Sequence, residues 1–212
     1  NPDFEALEAI DLELFNDHLC RLIEGETVEV PTFDFTDGKR KWTGRTVSLR
    51  PGQPIIVEGI HGLNDRLTRA IPQANKFKIY ISALTQLNIH DRVRIHTTDA
   101  RLLRRIVRDA QFRSHDADAT LTRWPMVRRG EERNIFPFQE GADAMINSAL
   151  LYELAVLKPY AEERLREVRK DSPNRPLADH LMWLLSHVQP LSSEAVPANS
   201  ILREFIGGSC FA

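Results

Sequence analysis

Pro54-Ile55-Ile56-Val57-Glu58-Gly59 and Phe77-Lys78-Ile79-Tyr80-Ile81, followed by Arg101-Leu102-Leu103-Arg104-Arg105-Ile106-Val107-Arg108-Asp109, carry the reading of the fold. The first two are short runs rich in branched apolar residues, which suit strands. Ile55-Ile56-Val57 is apolar without alternation, the pattern of a strand covered on both faces, as in parallel sheets. Leu63–Ala74 between them has helical spacing, and so does Thr98–Arg113 behind them. Strands alternating with helices predict an α/β fold with a parallel sheet and flanking helices.

The rest of the chain extends this pattern. Leu7, Ile10, Leu14, Phe15, Leu19 and Leu22 fall close to helical spacing, and Gly25 punctuates the end of that helix. Val28–Leu49 reads as a β-hairpin turning at Asp37-Gly38. Ala117–Arg133 reads as a helix with a break at Pro125, and Ala144–Asn147 as a short strand. Leu151–Val168 and Leu177–Val188 are helical, and Ser200 is placed to cap a terminal helix bearing Ile201, Leu202, Phe205 and Ile206. Gly207-Gly208 would stop it. Residues 1–150 are expected to form one partial α/β domain and residues 151–212 a helical extension.

The 212 residues hold 28 Lys+Arg against 30 Asp+Glu, a net charge of −2 that argues against a general polyanion binder. With 42% hydrophobic and 27% charged residues, the composition is that of a folded soluble domain. No apolar run approaches the roughly 20 residues of a membrane helix. Cys20 and Cys210 form no CxxC and are too few for a disulfide framework or a cysteine zinc site, so a reducing cytoplasm is expected. His18, His90, His96, His115 and His180 are scattered without ligand spacing; His61, three residues beyond Glu58, is within reach of a ligand there.

The arginine segment is the most informative chemically. At about 100° per residue, Arg101, Arg104, Arg105 and Arg108 share one face, while Leu102, Leu103, Ile106, Val107 and Ala110 occupy the other. Only Asp109, four residues after Arg105, is a well-placed local acid. Four cations with one acid repel one another unless an anion comes from elsewhere, and guanidinium forks suit phosphate oxygens. The face therefore points to phosphate binding, with a solvated face and a nucleic-acid contact as the competing readings. Arg113, Arg123, Arg128, Arg129 and Arg133 extend the basic character, partly offset by Glu131 and Glu132.

Glu58 directly follows the apolar run. In open α/β sheets the ligand crevice lies beyond the carboxyl ends of the strands. An acid there can hold Mg²⁺ directly or through water; the competing role is to cap the turn around His61-Gly62. No Ser-His-Asp or Cys-His arrangement has a local signature.

Several stretches together resemble the phosphoribulokinase/uridine kinase family. They are Asp3-Phe4-Glu5-Ala6-Leu7-Glu8-Ala9-Ile10-Asp11, Val30-Pro31-Thr32-Phe33-Asp34-Phe35, Ile56-Val57-Glu58-Gly59-Ile60 and the Arg101–Arg113 helix. The resemblance covers about residues 1–150. The tail, Asn199 to Gly208, is similar to the end of a longer subgroup that carries additional N-terminal domains. The resemblance implies a P-loop kinase fold and transfer of the γ-phosphoryl of ATP to a nucleoside hydroxyl, with Mg²⁺ as cofactor. It makes Glu58 a Mg²⁺ ligand. Arg108 and Arg113 become phosphate clamps, joined by Arg104 from the same face, and Arg105 lies near both acceptor and transferred phosphate. Arg105 and Arg108 are thus the expected catalytic residues, and Asp3, Phe33 and Arg105 the acceptor-binding ones. A homo-oligomer is compatible with this reading; a membrane or nucleic-acid partner is not expected.

The chain departs from the family in two ways. Pyrimidine kinases of the family place a tyrosine and a histidine against the base, where this chain has Phe33 and Gly38; Gly38 has no side-chain donor, so the acceptor stays open. No G-x-x-x-x-G-K-[ST] occurs in residues 1–212, nor does the family's paired-aspartate segment. The expectation is a fragment lying C-terminal to the phosphate-binding loop and inactive alone. The alternative is a non-catalytic nucleotide- or RNA-binding module on a degenerate kinase fold.

Overall fold

The computed structural model describes residues 6–34 and 38–211. Two compact units divide the chain, Asn1–Tyr80 with Gly130–Ala144, and Ile81–Arg129 with Met145–Ala212. The helices beyond residue 151 share one unit with the arginine helix.

In the first unit, α1 (Leu12–Ile23) is capped by Asp11, whose carboxylate accepts from the Leu14 N–H at 3.0 Å. Leu19 and Leu22 are its buried apolar residues. Asn16, also buried, donates to the Leu67 carbonyl at 2.9 Å and accepts from the Ala70 N–H at 2.9 Å. This side chain ties residues 67–70 to α1, and Asn64 accepts from the Arg66 N–H. Such side-chain bonds compete with a helical ladder. Leu63–Ala74 accordingly forms successive turns, ending in a short 3₁₀ turn at Gln73–Asn75, and not the expected α-helix.

The long hairpin forms as its alternation implies. β1 (Val28–Glu29) and β2 (Thr32–Asp34) return as β3 (Lys39–Lys41) and β4 (Thr46–Val47), all antiparallel, with Phe33 opposite Arg40 and Val28 opposite Val47. Gly38 takes φ +63, a region that glycine enters without steric cost. Phe35 and Asp37 lie outside the described residues.

Ile55–Val57 is not a strand. The run is irregular, and Ile56 is 87% exposed. An apolar run becomes a strand only where neighbours supply both hydrogen bonds and covering side chains. Among the described residues no strand pairs with it.

The remaining elements follow in order. β5 (Ile79–Ser82) precedes a small hairpin of β6 (Asn88–His90) and β7 (Val93–Arg94), which the sequence does not announce. α2 (Thr97–Phe112) is the arginine helix, and α3 (Ala117–Asn134) continues through Pro125 without the expected break. β8 (Ala144–Asn147) pairs with β5, and this is the parallel element of the α/β fold. The Lys78 carbonyl accepts from the Asp143 and Ala144 N–H groups, and the Ser82 carbonyl from the Ser148 N–H. Then come α4 (Glu153–Arg166), α5 (Arg175–Ser186) and α6 (Arg203–Ile206).

The main core belongs to the second unit. Leu102, Leu103, Ile106 and Val107 of α2 pack with Leu154 and Leu157 of α4, Leu181 and Leu185 of α5, and Phe205 and Ile206 of α6. Each fully buried leucine contributes about 1.5–3 kcal/mol of burial energy. Asp118 of α3 accepts from Ser172 Oγ at 2.6 Å and Asn174 Nδ2 at 2.7 Å. These two donors hold its carboxyl below the ordinary value of 3.8. The terminal helix is shorter than its apolar stripe suggests: only Arg203–Ile206 are α-helical, and Gly207, at φ +86, ends them.

Candidate functional site

Helical periodicity puts the α2 arginines on one side, and the structure divides that side in two. Arg104 turns inward and is 7% exposed. Its Nε and Nη2 donate to the two carboxylate oxygens of Glu153 at 2.9 and 2.5 Å, and Nη2 also donates to the Ser148 carbonyl at 2.8 Å. Its guanidinium lies 5.2 Å from the centre of the Phe205 ring. The Glu153 carboxylate additionally accepts from the Leu150 N–H, so charge and lone pairs are both satisfied. Arg104, expected among the phosphate clamps, is thus committed to a buried ion pair that joins α2 to α4 and α6.

Arg105, Arg108 and Arg113 do come together. All three surround Asp109, which is 3% exposed. Arg105 Nε lies 3.3 Å from Oδ2, while Arg108 Nε and Arg113 Nη1 each lie 3.5 Å from Oδ1. Asp109 Oδ1 and Arg108 Nε make no hydrogen bond although both are buried. Three guanidinium groups share one carboxylate, at separations that leave ion pairing only partly closed by hydrogen bonds. The result is a concentration of positive charge on a rigid helix, half-exposed at Arg113, and chemically suited to a multiply charged anion. Glu204 of α6 stands at its edge, 4.0 Å from Arg108 Nη1.

Glu58 and Phe33, expected as metal and acceptor residues, lie in the first unit. Glu58 is exposed and borders a pocket of about 240 Å³ together with Ala6, Ile10, Gly59, His61 and Leu67. His61 is buried, and its Nδ1 has no hydrogen-bond partner. The Glu58 carboxylate fits one position on Mg²⁺, which takes one or two protein carboxylates and fills the rest with water and phosphate oxygens. Among the described residues no group of three His, Cys, Asp or Glu side chains forms a complete metal cage. Phe33 stands on β2, 54% exposed, beside a hairpin where Arg40 packs over Trp42 at 5.7 Å and pairs with Asp11 at 2.7 Å. Asp3 lies outside the described residues. Among these residues no helix is long and apolar enough to cross a membrane.

Helical periodicity alone does not reveal that Asp109 serves three arginines, nor that Glu153, Glu204 and Phe205 complete the surroundings of α2. Arg105–Asp109 and Asp109–Arg113 are i,i+4 pairs and legible in principle; the contacts to Glu153, Glu204 and Phe205 join residues far apart in sequence.

The sequence is similar to known proteins over about two thirds of its length. It is 32% identical over 139 residues to the uridine kinase of Macrococcus caseolyticus, covering 65% of this chain and 59% of that protein. It is 30% identical over 145 residues to the uridine kinase of Clostridium botulinum, covering 68% and 62% respectively. A Staphylococcus aureus uridine kinase is 30% identical over 139 residues. The chain thus matches about three-fifths of the length of these relatives. The model of the phosphoribulokinase/uridine kinase family matches residues 1–153, which span Glu58 and the whole arginine helix. With more than half of its length matched, the chain belongs to the phosphoribulokinase/uridine kinase family.

Proposed function

We propose that residues 1–212 form the acceptor side and phosphate-gripping side of an ATP-dependent nucleoside kinase. The observation that carries this is the convergence of Arg105, Arg108 and Arg113 on the single buried carboxylate of Asp109. Phosphoryl transfer asks little covalent chemistry of the protein. It asks for positioning, and for neutralisation of charge on the transferring group. A bond forms between the acceptor hydroxyl oxygen and the γ-phosphorus, and the bond from that phosphorus to the β–γ bridging oxygen breaks. ADP leaves with the electron pair.

In this reading Arg108 and Arg113 grip phosphate oxygens, and Arg105 faces both acceptor and transferred group. Asp109 fixes all three arms while cancelling only part of their charge. Arg104 is left out of the grip; through Glu153 and Phe205 it sets the placement of α2. Glu58 contributes one oxygen to Mg²⁺, which when bound neutralises phosphate charge. Phe33 contacts the acceptor, and Asp3 is kept as an acceptor-binding residue on the family resemblance alone. The hydroxyl proton passes to a carboxylate outside these residues, and the phosphate-binding loop is likewise supplied from outside them. A compartment with ATP and Mg²⁺, the cytoplasm, is the setting this requires. Family membership and the uridine kinases among its relatives support a nucleoside acceptor. Which nucleoside is left open by Phe33 and Gly38, since loss of a base-specific hydrogen bond removes much of a site's discrimination.

The test is Arg108→Ala in a protein that joins these residues to a phosphate-binding loop. Turnover of ATP with a panel of nucleosides should fall by about 10³-fold or more, with the thermal midpoint little changed. Unchanged turnover removes Arg108 from the mechanism.

A further inference from the structure

The family model ends at residue 153, yet the last helix of the chain lies along the arginine helix. Phe205 packs on Arg104, Glu204 faces Arg108, and Gly207 approaches Gln111 and Phe112. Residues 204–207 therefore follow one stripe of α2 over two turns. Their position does not depend on the Glu204 charge. Leu202, Phe205 and Ile206 are buried in the core, and the Arg203 guanidinium donates to the Val196 and Ser193 carbonyls at 2.5 and 2.9 Å. Glu204 itself is 59% exposed, its carboxylate held 4.0 Å from Arg108 Nη1 by the anchoring of its neighbours.

We propose that Glu204 is a determinant of anion affinity at the arginine cluster, a tethered carboxylate that competes with a phosphate oxygen for Arg108. This rests on the reading of the cluster as a phosphate grip. Arg108 thus meets two carboxylates of different standing, Asp109 and Glu204. Asp109 is buried beneath the arms and stays in place when an anion binds. Glu204 is at the rim, where an incoming phosphate oxygen must either displace it from Arg108 or share the guanidinium at close range with a like charge. The device lowers affinity for the bound anion and so favours its release, and it is supplied by a segment beyond the family match.

The experiment is calorimetric titration of the 212-residue chain with tripolyphosphate, in wild type, Glu204→Gln, Arg108→Ala and Glu167→Gln. Glu167 is an exposed acid paired with Arg164, and its variant reports the effect of net charge. Glu204→Gln should bind about two- to fivefold more tightly, the range expected for removing one exposed charge contact. Its affinity should also fall more steeply with salt, Arg108→Ala should bind more weakly, and Glu167→Gln should match wild type. If Arg108→Ala weakens binding while Glu204→Gln leaves it unchanged or weaker, the phosphate grip stands and competition by Glu204 is overturned. An equal gain in Glu167→Gln also overturns it. If neither wild type nor Glu204→Gln binds tripolyphosphate, the grip and the competition fall together.

Discussion

Replacing Glu153 by Gln would strand a guanidinium inside the second unit. Arg104 is buried, gives Glu153 two hydrogen bonds and, among the described residues, has the Ser148 backbone and hydroxyl as further acceptors. A neutral amide can accept at one position, and its NH₂ group would face the cation at the other. Breaking a buried pair from one side costs about 3–5 kcal/mol, because the remaining charge stays desolvated. For a domain of this size each kcal/mol lowers the melting midpoint by about 2–4 °C, so Glu153→Gln should melt about 6–20 °C lower. Urea unfolding followed by circular dichroism gives the free energy directly. The double variant Arg104→Met with Glu153→Leu removes both charges and keeps most of the volume. It should recover the larger part of the loss, since well-packed apolar replacements of buried pairs are often neutral. A single variant costing less than about 1 kcal/mol, well under the expected range, would show that the pair is not desolvated in solution. A double variant less stable than Glu153→Gln would contradict the charge-stranding account.

Asp109→Asn should lower stability by about 1–3 kcal/mol through loss of a buried acceptor shared by three cations. Added tripolyphosphate should raise its melting midpoint more than that of wild type, and an equal shift would refute an anion grip formed by the arginines around Asp109. Leu157→Ala, at a fully buried position in α4, should cost about 2–5 kcal/mol in urea unfolding. Ile56→Thr, in the exposed apolar run, should stay within about 0.5 kcal/mol of wild type, and a larger loss would place that run in a core. The Asp118 carboxyl titrates below its ordinary value of 3.8 when folded, so its contribution is complete above that pH and fades as pH falls through the folded value. The stability gap between wild type and Asp118→Asn should therefore be full at neutral pH and close in acid; a gap independent of pH would mean that ionisation plays no part.

Where local pattern determines structure, the sequence is transparent. The apolar side of α2 follows from its 3.6-residue period, and the hairpin of residues 28–47 from its alternation and turn glycine. β5 and β8 are recognisable as short apolar strands. Ile55–Val57 has the same composition as a buried strand and is not one, because a strand also needs partners, and those are a property of the whole sheet. Leu63–Ala74 has helical spacing but is claimed by the amide side chains of Asn16 and Asn64. A helical wheel places Arg104 and Arg105 on one face. It has no means of showing that a carboxylate 49 residues away draws one of them fully inside while the other stays part-buried beside Asp109. The basic character of the site was legible; the division of labour among its arginines depends on long-range contacts.

The contact between α6 and α2 has a kinetic consequence. Most of the second unit is helical, and helical domains usually assemble quickly because their contacts are local. Here Arg104 must meet Phe205 across about a hundred residues of chain, with α3, α4 and α5 in between. Large sequence separation slows the search for native structure. The helix that gathers the arginines should thus acquire its final support late in folding, at a rate closer to that of mixed α/β domains than of simple bundles.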